Sequence, residues 1–299
     1  MTPPGLGAFD LCGIPLAHPI INASGTFDAI AARRAFGDVV LERFPFSAYV
    51  SKTITPLPRA GNPPPRLWEE PAAMVNSIGL PNKGLDGFIE FDLPLLAELP
   101  VPLIVSVMAT CAEDFAGMIE ALGARDEIAG FELNVSCPNV HSGLIVGELP
   151  EETAALLGAL RPLTGKPLMV KLTPNVADPA AVAAAAEERG ADAVSLINTM
   201  KALPMLAGRP WLGGSGGGLS GPAVRTVALK QVSDVAAAVS IPVVGMGGVE
   251  RGVHAADLLA AGARAVAVGT ASFRDPLAAE RVLEELRSLD LTPASGFPA

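Results

Sequence analysis

Leu103-Ile-Val-Ser-Val107, Gly130-Phe-Glu-Leu-Asn134, Leu168-Met-Val-Lys-Leu172 and Ala265-Val-Ala-Val-Gly269 are short runs, apolar over most of their length, that end in small or polar residues. Runs of this kind suit strands buried on both faces, as in a parallel sheet covered by helices, better than the strict alternation of a half-solvated strand. Four more runs complete the set: Pro19–Ala23, Ala48–Lys52, Ala193–Ile197 and Pro242–Gly245. Most are followed by an Ala/Leu-rich helical stretch. The clearest helix is Pro222–Val239, where Val224, Val227, Val232, Val235 and Val239 recur at helical spacing and Ser220-Gly221-Pro222 supplies a start signal. Eight strand-helix units in 299 residues predict an α/β chain folded as one closed (β/α)8 TIM barrel, residues 1–299, rather than an open doubly wound sheet.

Composition narrows the function classes. Half of the residues are hydrophobic and 17% are charged, enough for a large core and against disorder. A net charge of -10, with two Trp and one Tyr, argues against nucleic acid, whose phosphates call for Lys/Arg surfaces and whose bases call for aromatic platforms. Three cysteines, Cys12, Cys111 and Cys137, stand at wide spacings without a CxxC pair, so neither a disulfide framework, a zinc site nor an iron-sulfur site is expected. No basic flank precedes an apolar stretch at the N-terminus, and no apolar run reaches membrane-spanning length. The expectation is a cytoplasmic protein with no membrane segment and no bound metal.

Two stretches break the repeat. Thr55–Pro81 and Cys137–Pro150 are long, and the first is rich in Pro and Gly. Both follow strand C-terminal ends, the barrel face that holds active sites, and are read as irregular loops over the site. Residues 1–18 form an N-terminal segment ahead of the first strand.

Polar residues cluster at the strand ends: Asn22 to Gly25, Ser51-Lys52-Thr53, Ser106, Asn134 to Asn139, Lys171 to Thr173, Asn198-Thr199, Gly245 to Gly248 and Gly269-Thr270. One such Asn would be a turn former, but a set in register at every strand marks a site. The glycine clusters GGLSGP, GMGG and GT follow strands six, seven and eight, where many barrels bind phosphate through backbone N–H groups. Lys52 and Lys171 end strands on opposite sides of the mouth and could each stabilise negative charge, form a Schiff base or pair with a carboxylate. Glu132 is read as facing away from Asn134, leaving the rim short of carboxylates and disfavouring glycosidase and divalent-metal chemistry. Cys12 and Cys111 read as small buried hydrophobes. Cys137 sits among Asn134, Ser136 and Asn139, a polar setting in which a thiolate could act as base or nucleophile, and no His ends a strand to assist it.

The motifs NASGTF, SKT, GNPPPR, NSIGLPNKG, ELNVSCPNV, VKLTPN, INT, GGLSGPA, IPVVGMGG and AVAVGTA occur in order along almost the whole chain. In this the sequence resembles the class 1 dihydroorotate dehydrogenases, FMN enzymes of pyrimidine synthesis. The resemblance implies oxidation of dihydroorotate to orotate, with hydride passing to FMN and Cys137 as base. It assigns FMN contacts to Ser24, Lys52, Thr53, Ser106, Asn134, Lys171, Ile197, Gly221, Gly247, Gly248, Gly269 and Thr270, the last four around the phosphate. Substrate contacts fall to Lys52, Asn76, Ser77, Ile78, Gly79, Leu80, Asn134, Asn139, Asn198 and Thr199.

GGLSGPA and CPNVHSG resemble the NAD-linked branch, which implies a homodimeric catalytic subunit paired with a separate electron-transfer subunit carrying FAD and a [2Fe-2S] cluster. NTMKALP and VGELPEE depart from that branch and NSIGLPN is similar to the fumarate-using one, leaving NAD and fumarate both as acceptors, with a dihydropyrimidine dehydrogenase-like FMN barrel as the other alternative. The quinone branch, with Ser as base and an N-terminal extension, is not matched.

Overall fold

The computed structural model describes residues 6–136 and 146–289. Its centre is an eight-stranded parallel sheet made of β1 (Ile20–Asn22), β2 (Tyr49–Val50), β3 (Leu103–Val107), β4 (Ile128–Asn134), β5 (Leu168–Lys171), β6 (Ala193–Leu196), β7 (Val243–Met246) and β8 (Ala265–Val268). The spatial order β1-β8-β7-β6-β5-β4-β3-β2 follows the chain around a ring, as a (β/α)8 barrel requires. Between β1 and β2 the ring is joined differently. The Ser47 N–H donates to Ile20 O (3.0 Å), and beyond it the side-chain amide of Asn22 donates to Val50 O (2.8 Å) and accepts from Val50 N–H (2.7 Å). Asn22 was read as part of the open rim. It is fully buried, and its side chain stands in for a peptide unit across this seam.

All eight apolar runs foreseen in the sequence become strands; five are shorter than their runs, Leu103–Val107 matches its run, Val243–Met246 is shifted by one residue, and Ile128–Asn134 starts two residues earlier. Alternation along them divides two cores. Val105, Val107, Phe131, Leu133, Val170 and Val194 face the surrounding helices. Ile21, Val50, Ile104, Met169, Val244 and Ala267 face the barrel axis. The antiparallel hairpin Phe9–Leu11/Ile14–Leu16 drives Leu11, Ile14 and Leu16 into that axial core from the strand N-terminal end, closing the end opposite the glycine clusters. Cys12 and Cys111 are each only half-buried, and burial pushes the Cys12 thiol up to about 12.

The helices start where local chemistry allows. Asp28 Oδ1 accepts from Ala31 N–H (2.9 Å) to cap Ala29–Phe36. Asp178 caps Pro179–Glu188 by accepting from Ala180 and Ala181, with Pro179 in the first turn. The expected helix over 222–239 is a 3₁₀ turn, Pro222–Val224, running into Arg225–Ala238. It buries Val224, Val232 and Val235 against the sheet.

The expectation for the first excursion fails. Thr55–Pro81 is not irregular: Leu67–Glu70 and Ala73–Asn76 pair within it, and Ala73–Asn76 also pairs with Gly217–Ser220, which pairs with Met200–Ala202. The result is a four-stranded antiparallel sheet lying beyond the C-terminal ends of the barrel strands. Its partners come from the excursions after β2 and β6, and a pairing so distant in sequence leaves no local signature. No helix among the described residues is long and apolar enough to cross a membrane.

His18 is the accessory group with the clearest titration consequence. Burial, aided by Arg287, lowers its pKa to about 4, and its Nδ1 accepts from Ile20 N–H (3.3 Å) in the neutral form. A folded-state pKa below the unfolded value means the unfolded chain takes up the proton first as pH falls. Stability should therefore be intact above pH 6.5 and decline toward pH 4, by on the order of 1 kcal/mol after solvent screening. His18→Asn, which keeps a backbone acceptor without titrating, is expected to flatten that segment of the denaturant-midpoint profile. An unchanged slope would assign the loss to other groups.

Candidate active site

At the C-terminal end of the barrel lies a cavity of ≈ 590 Å³, within the size range of cofactor and ligand sites. Strand ends and the antiparallel sheet line it together. From β1 and β2 come Ser24, Lys52 and Thr53; from β4 and β5, Asn134 and Lys171. Ile197, Asn198 and Thr199 follow β6, Gly247 and Gly248 follow β7, and Gly269 and Thr270 follow β8. Asn76, Ile78 and Leu80 reach in from the excursion after β2, and Gly221 from the one after β6.

A hydrogen-bonded chain joins the polar members. Ser24 Oγ donates to Ser51 O (2.8 Å) and lies 3.2 Å from Thr53 Oγ1. Thr53 Oγ1 in turn lies 2.8 Å from Ser106 Oγ and accepts from Asn134 Nδ2 at 3.5 Å. Asn198 Nδ2 donates to Ser136 Oγ (2.9 Å) and, more weakly, to Asn134 Oδ1 (3.5 Å), while Asn198 Oδ1 accepts from Thr199 N–H (2.8 Å). The chain of hydrogen bonds fixes which amide faces point inward, as recognition of a polar planar ligand requires.

Three of the expected site residues stand back from the cavity. Ser106 is fully buried beneath Thr53. Ser77 Oγ accepts from Asn62 Nδ2 (2.9 Å), and Arg66 Nε donates to Asn62 O (2.6 Å), so GNPPPR acts as a clamp on the 76–80 segment. Gly79 lies against Asn62, where a Cβ would come within 2.5 Å of Asn62 N. These three support the wall rather than form it. Cys137 and Asn139 lie outside the described residues, directly beyond Ser136.

The glycines divide into two roles. Gly247 (φ +129°), Gly248 (φ +70°) and Gly221 (φ +89°) adopt backbone conformations that favour glycine, and a Cβ on Gly248 would come within 2.8 Å of Arg225 Cβ and 3.0 Å of Gly221 O. Gly217 and Gly218 have another cause. A Cβ there would lie 2.4 Å from Asn76 O and 1.9 Å from Thr199 Oγ1, so they are small to let two strands and the cavity wall approach. The motif GGLSGP thus serves sheet packing as well as the cavity.

The two lysines differ as well. Lys52 is exposed and makes no ion pair among the described residues. Lys171 is buried, its Nζ 3.6 Å from Glu132 Oε1. Glu132 therefore does not face away from Asn134: residues two apart share a strand face, and both point to the barrel axis, as the outward packing of Phe131 and Leu133 demands. Sequence reasoning also missed Ser272, whose buried hydroxyl has no partner among the described residues and whose residue borders the cavity beside Thr270. Apolar wall residues such as Met74 and Leu219 were missed too, because their place depends on the antiparallel sheet.

The profile of the family described as dihydroorotate dehydrogenase matches residues 8–289. The chain belongs to the dihydroorotate dehydrogenase family. Among relatives of this family, the dihydroorotate dehydrogenase B (NAD(+)) catalytic subunit of Geobacter metallireducens is 44% identical over 280 residues, covering 93% of this chain and 90% of the relative. The corresponding protein of Geotalea daltonii is 42% identical over 94% of this chain and 92% of its own length. A Solibacter usitatus protein, provisionally named dihydroorotate dehydrogenase A (fumarate), is 43% identical over 93% of this chain and 91% of its own. The crystal structure of the Eimeria tenella dihydroorotate dehydrogenase in complex with ferulenol shares the fold, with a TM-score of 0.75 at 23% identity, over 93% of this chain and 83% of that one.

Proposed function

We propose that this chain oxidises (S)-dihydroorotate to orotate in pyrimidine biosynthesis, with FMN in the barrel-mouth cavity. The observation that carries the reading is the convergence of the Asn76, Asn134 and Asn198 amides with the exposed Lys52 ammonium, which has no ion pair among the described residues, on one cavity of flavin-compatible size. A planar ring with amide edges and a carboxylate meets its complement in such a set.

The residues present fit FMN. Successive positive-φ glycines at 247 and 248 form a cradle in which side chains cannot be accommodated, and the Ser272 hydroxyl, without a partner among the described residues, stands ready to donate nearby. Gly247, Gly248, Gly269 and Thr270 would hold the phosphate. Ser24, Lys52, Thr53, Asn134, Lys171, Ile197 and Gly221 would line the rest, with Ser106 supporting Thr53. When bound, FMN supplies the acceptor for hydride from the substrate.

The chain's own residues do the remainder. Lys52 neutralises the substrate carboxylate. Asn76, Ile78, Leu80, Asn134, Asn198 and Thr199 fix the ring, together with Asn139 and, through the clamped backbone, Ser77 and Gly79. Cys137 removes the proton from the carbon beside the one that gives hydride. Asn198, held by Ser136 Oγ one residue before Cys137, ties the ring to the start of that loop. The chain acts in the cytoplasm as a homodimeric catalytic subunit, passing electrons to NAD through a partner that carries FAD and a [2Fe-2S] cluster.

Two measurements test this. The yellow holoenzyme is expected to turn over dihydroorotate far faster than dihydrouracil, and the reverse preference would overturn the substrate. Co-purification from the native host should bring down a second polypeptide with iron and FAD. A lone chain that reduces fumarate with dihydroorotate would instead place it with the Solibacter usitatus relative, whose 43% identity lies between the 44% and 42% of the two NAD-linked proteins.

A further inference from the structure

Glu132 is a buried carboxylate with no part in the chemistry above. It is 1% exposed, on the axial face of β4 one layer below Asn134. Ser195 Oγ on β6 donates to its Oε2 at 3.0 Å. Its Oε1 accepts no hydrogen bond among the described residues, and the nearest cation, Lys171 Nζ, stands 3.6 Å away. Lys171 lies between the two in the sheet, since β5 pairs with β4 through Asn134↔Lys171 and with β6 through Ser195↔Lys171.

The arrangement is therefore a stack: a serine hydroxyl fixes a carboxylate, the carboxylate faces an ammonium, and the ammonium faces the cavity. An ion pair serving stability alone would close to hydrogen-bond distance and satisfy both oxygens, because burying a charge is costly without full pairing. Here one carboxylate oxygen is left short, and the ammonium is shared between Glu132 and whatever enters the cavity.

Resting on the FMN reading above, we propose that Glu132 is a positioning residue for the reaction: it anchors Lys171 at the cavity wall and offsets part of its charge. It thereby sets how strongly the site prefers reduced over oxidised FMN. Reduction adds negative charge to the ligand. A lone buried ammonium would hold that form too tightly to release electrons onward, and a fixed carboxylate beneath it tempers the hold.

The test compares midpoint potentials of bound FMN, read by equilibration with redox dyes, in the wild-type and Glu132→Gln holoenzymes. Glutamine keeps the shape and still accepts from Ser195, so only the charge changes. The expected result is a preference for reduced FMN raised on the order of tenfold by the lost negative charge, a potential about 30 mV more positive. A preference within twofold of wild type, or a shift the other way, overturns the proposal. Should Glu132→Gln not fold, Ser195→Ala decides in its place. Stripping the donor from Oε2 leaves more of the carboxylate's charge on Lys171, so the potential should fall, and no fall would overturn the proposal. A wild-type protein that binds no FMN would sink the functional reading itself, whereas one that binds FMN with unmoved potentials in the variants sinks only the role of Glu132.

Discussion

Replacing Cys137 by alanine is expected to leave a yellow protein whose flavin dihydroorotate barely reduces. None of the residues proposed to hold FMN is touched by this change, so cofactor content should match the parent. Positioned acid-base catalysis is worth roughly 10²–10⁴-fold, and the rate of flavin bleaching in a single-turnover experiment should fall by an amount in that range. A loss under about tenfold would remove Cys137 from the role of base. Cys137→Ser should recover part of the rate at alkaline pH, since a hydroxyl is a far weaker acid than a thiol.

Lys171→Ala should produce the largest change in stability. The substitution strands Glu132, 1% exposed and already short of one hydrogen bond, as an uncompensated buried carboxylate. Breaking a buried pair from one side costs about 3–5 kcal/mol, which a urea titration would read as a lower midpoint at unchanged slope. Adding Glu132→Gln should return much of that loss, because the offending charge is then gone. If the single and double variants unfold at the same urea concentration, the pair contributes nothing. The single variant should also release FMN more readily than the parent.

The barrel was legible because its signal is local. Each run such as Leu103–Val107 states its own burial on both faces, and eight of them in series leave few other architectures. The strand-end residues were legible for the same reason: position at a C-terminal tip places Ser24, Asn134, Lys171 and Asn198 on the cavity without any knowledge of neighbours. What escaped was relational. Ala73–Asn76 becomes a strand by pairing with Gly217–Ser220, more than a hundred residues away and half glycine, a composition that ordinarily weakens strands. The glycines of GGLSGP suggested anion binding, yet two of them are small because Asn76 and Thr199 press against them. Glu132 was placed on the wrong face, although strand parity with Asn134 already fixed its direction. The clamp formed by Asn62 on Ser77 depends on loop geometry that no periodicity announces.

The join between β1 and β2 has a consequence for what holds the cavity's rim. Elsewhere around the tube, adjacent strands are fastened by main-chain ladders, which any sequence can make. Here much of the fastening falls to the carboxamide of Asn22, reading and answering Val50 as another backbone would. Ser24 and Lys52 lie just past this join on either side, so two walls of the cavity are held together here by a side chain rather than by a ladder. The perimeter has one button among its zippers.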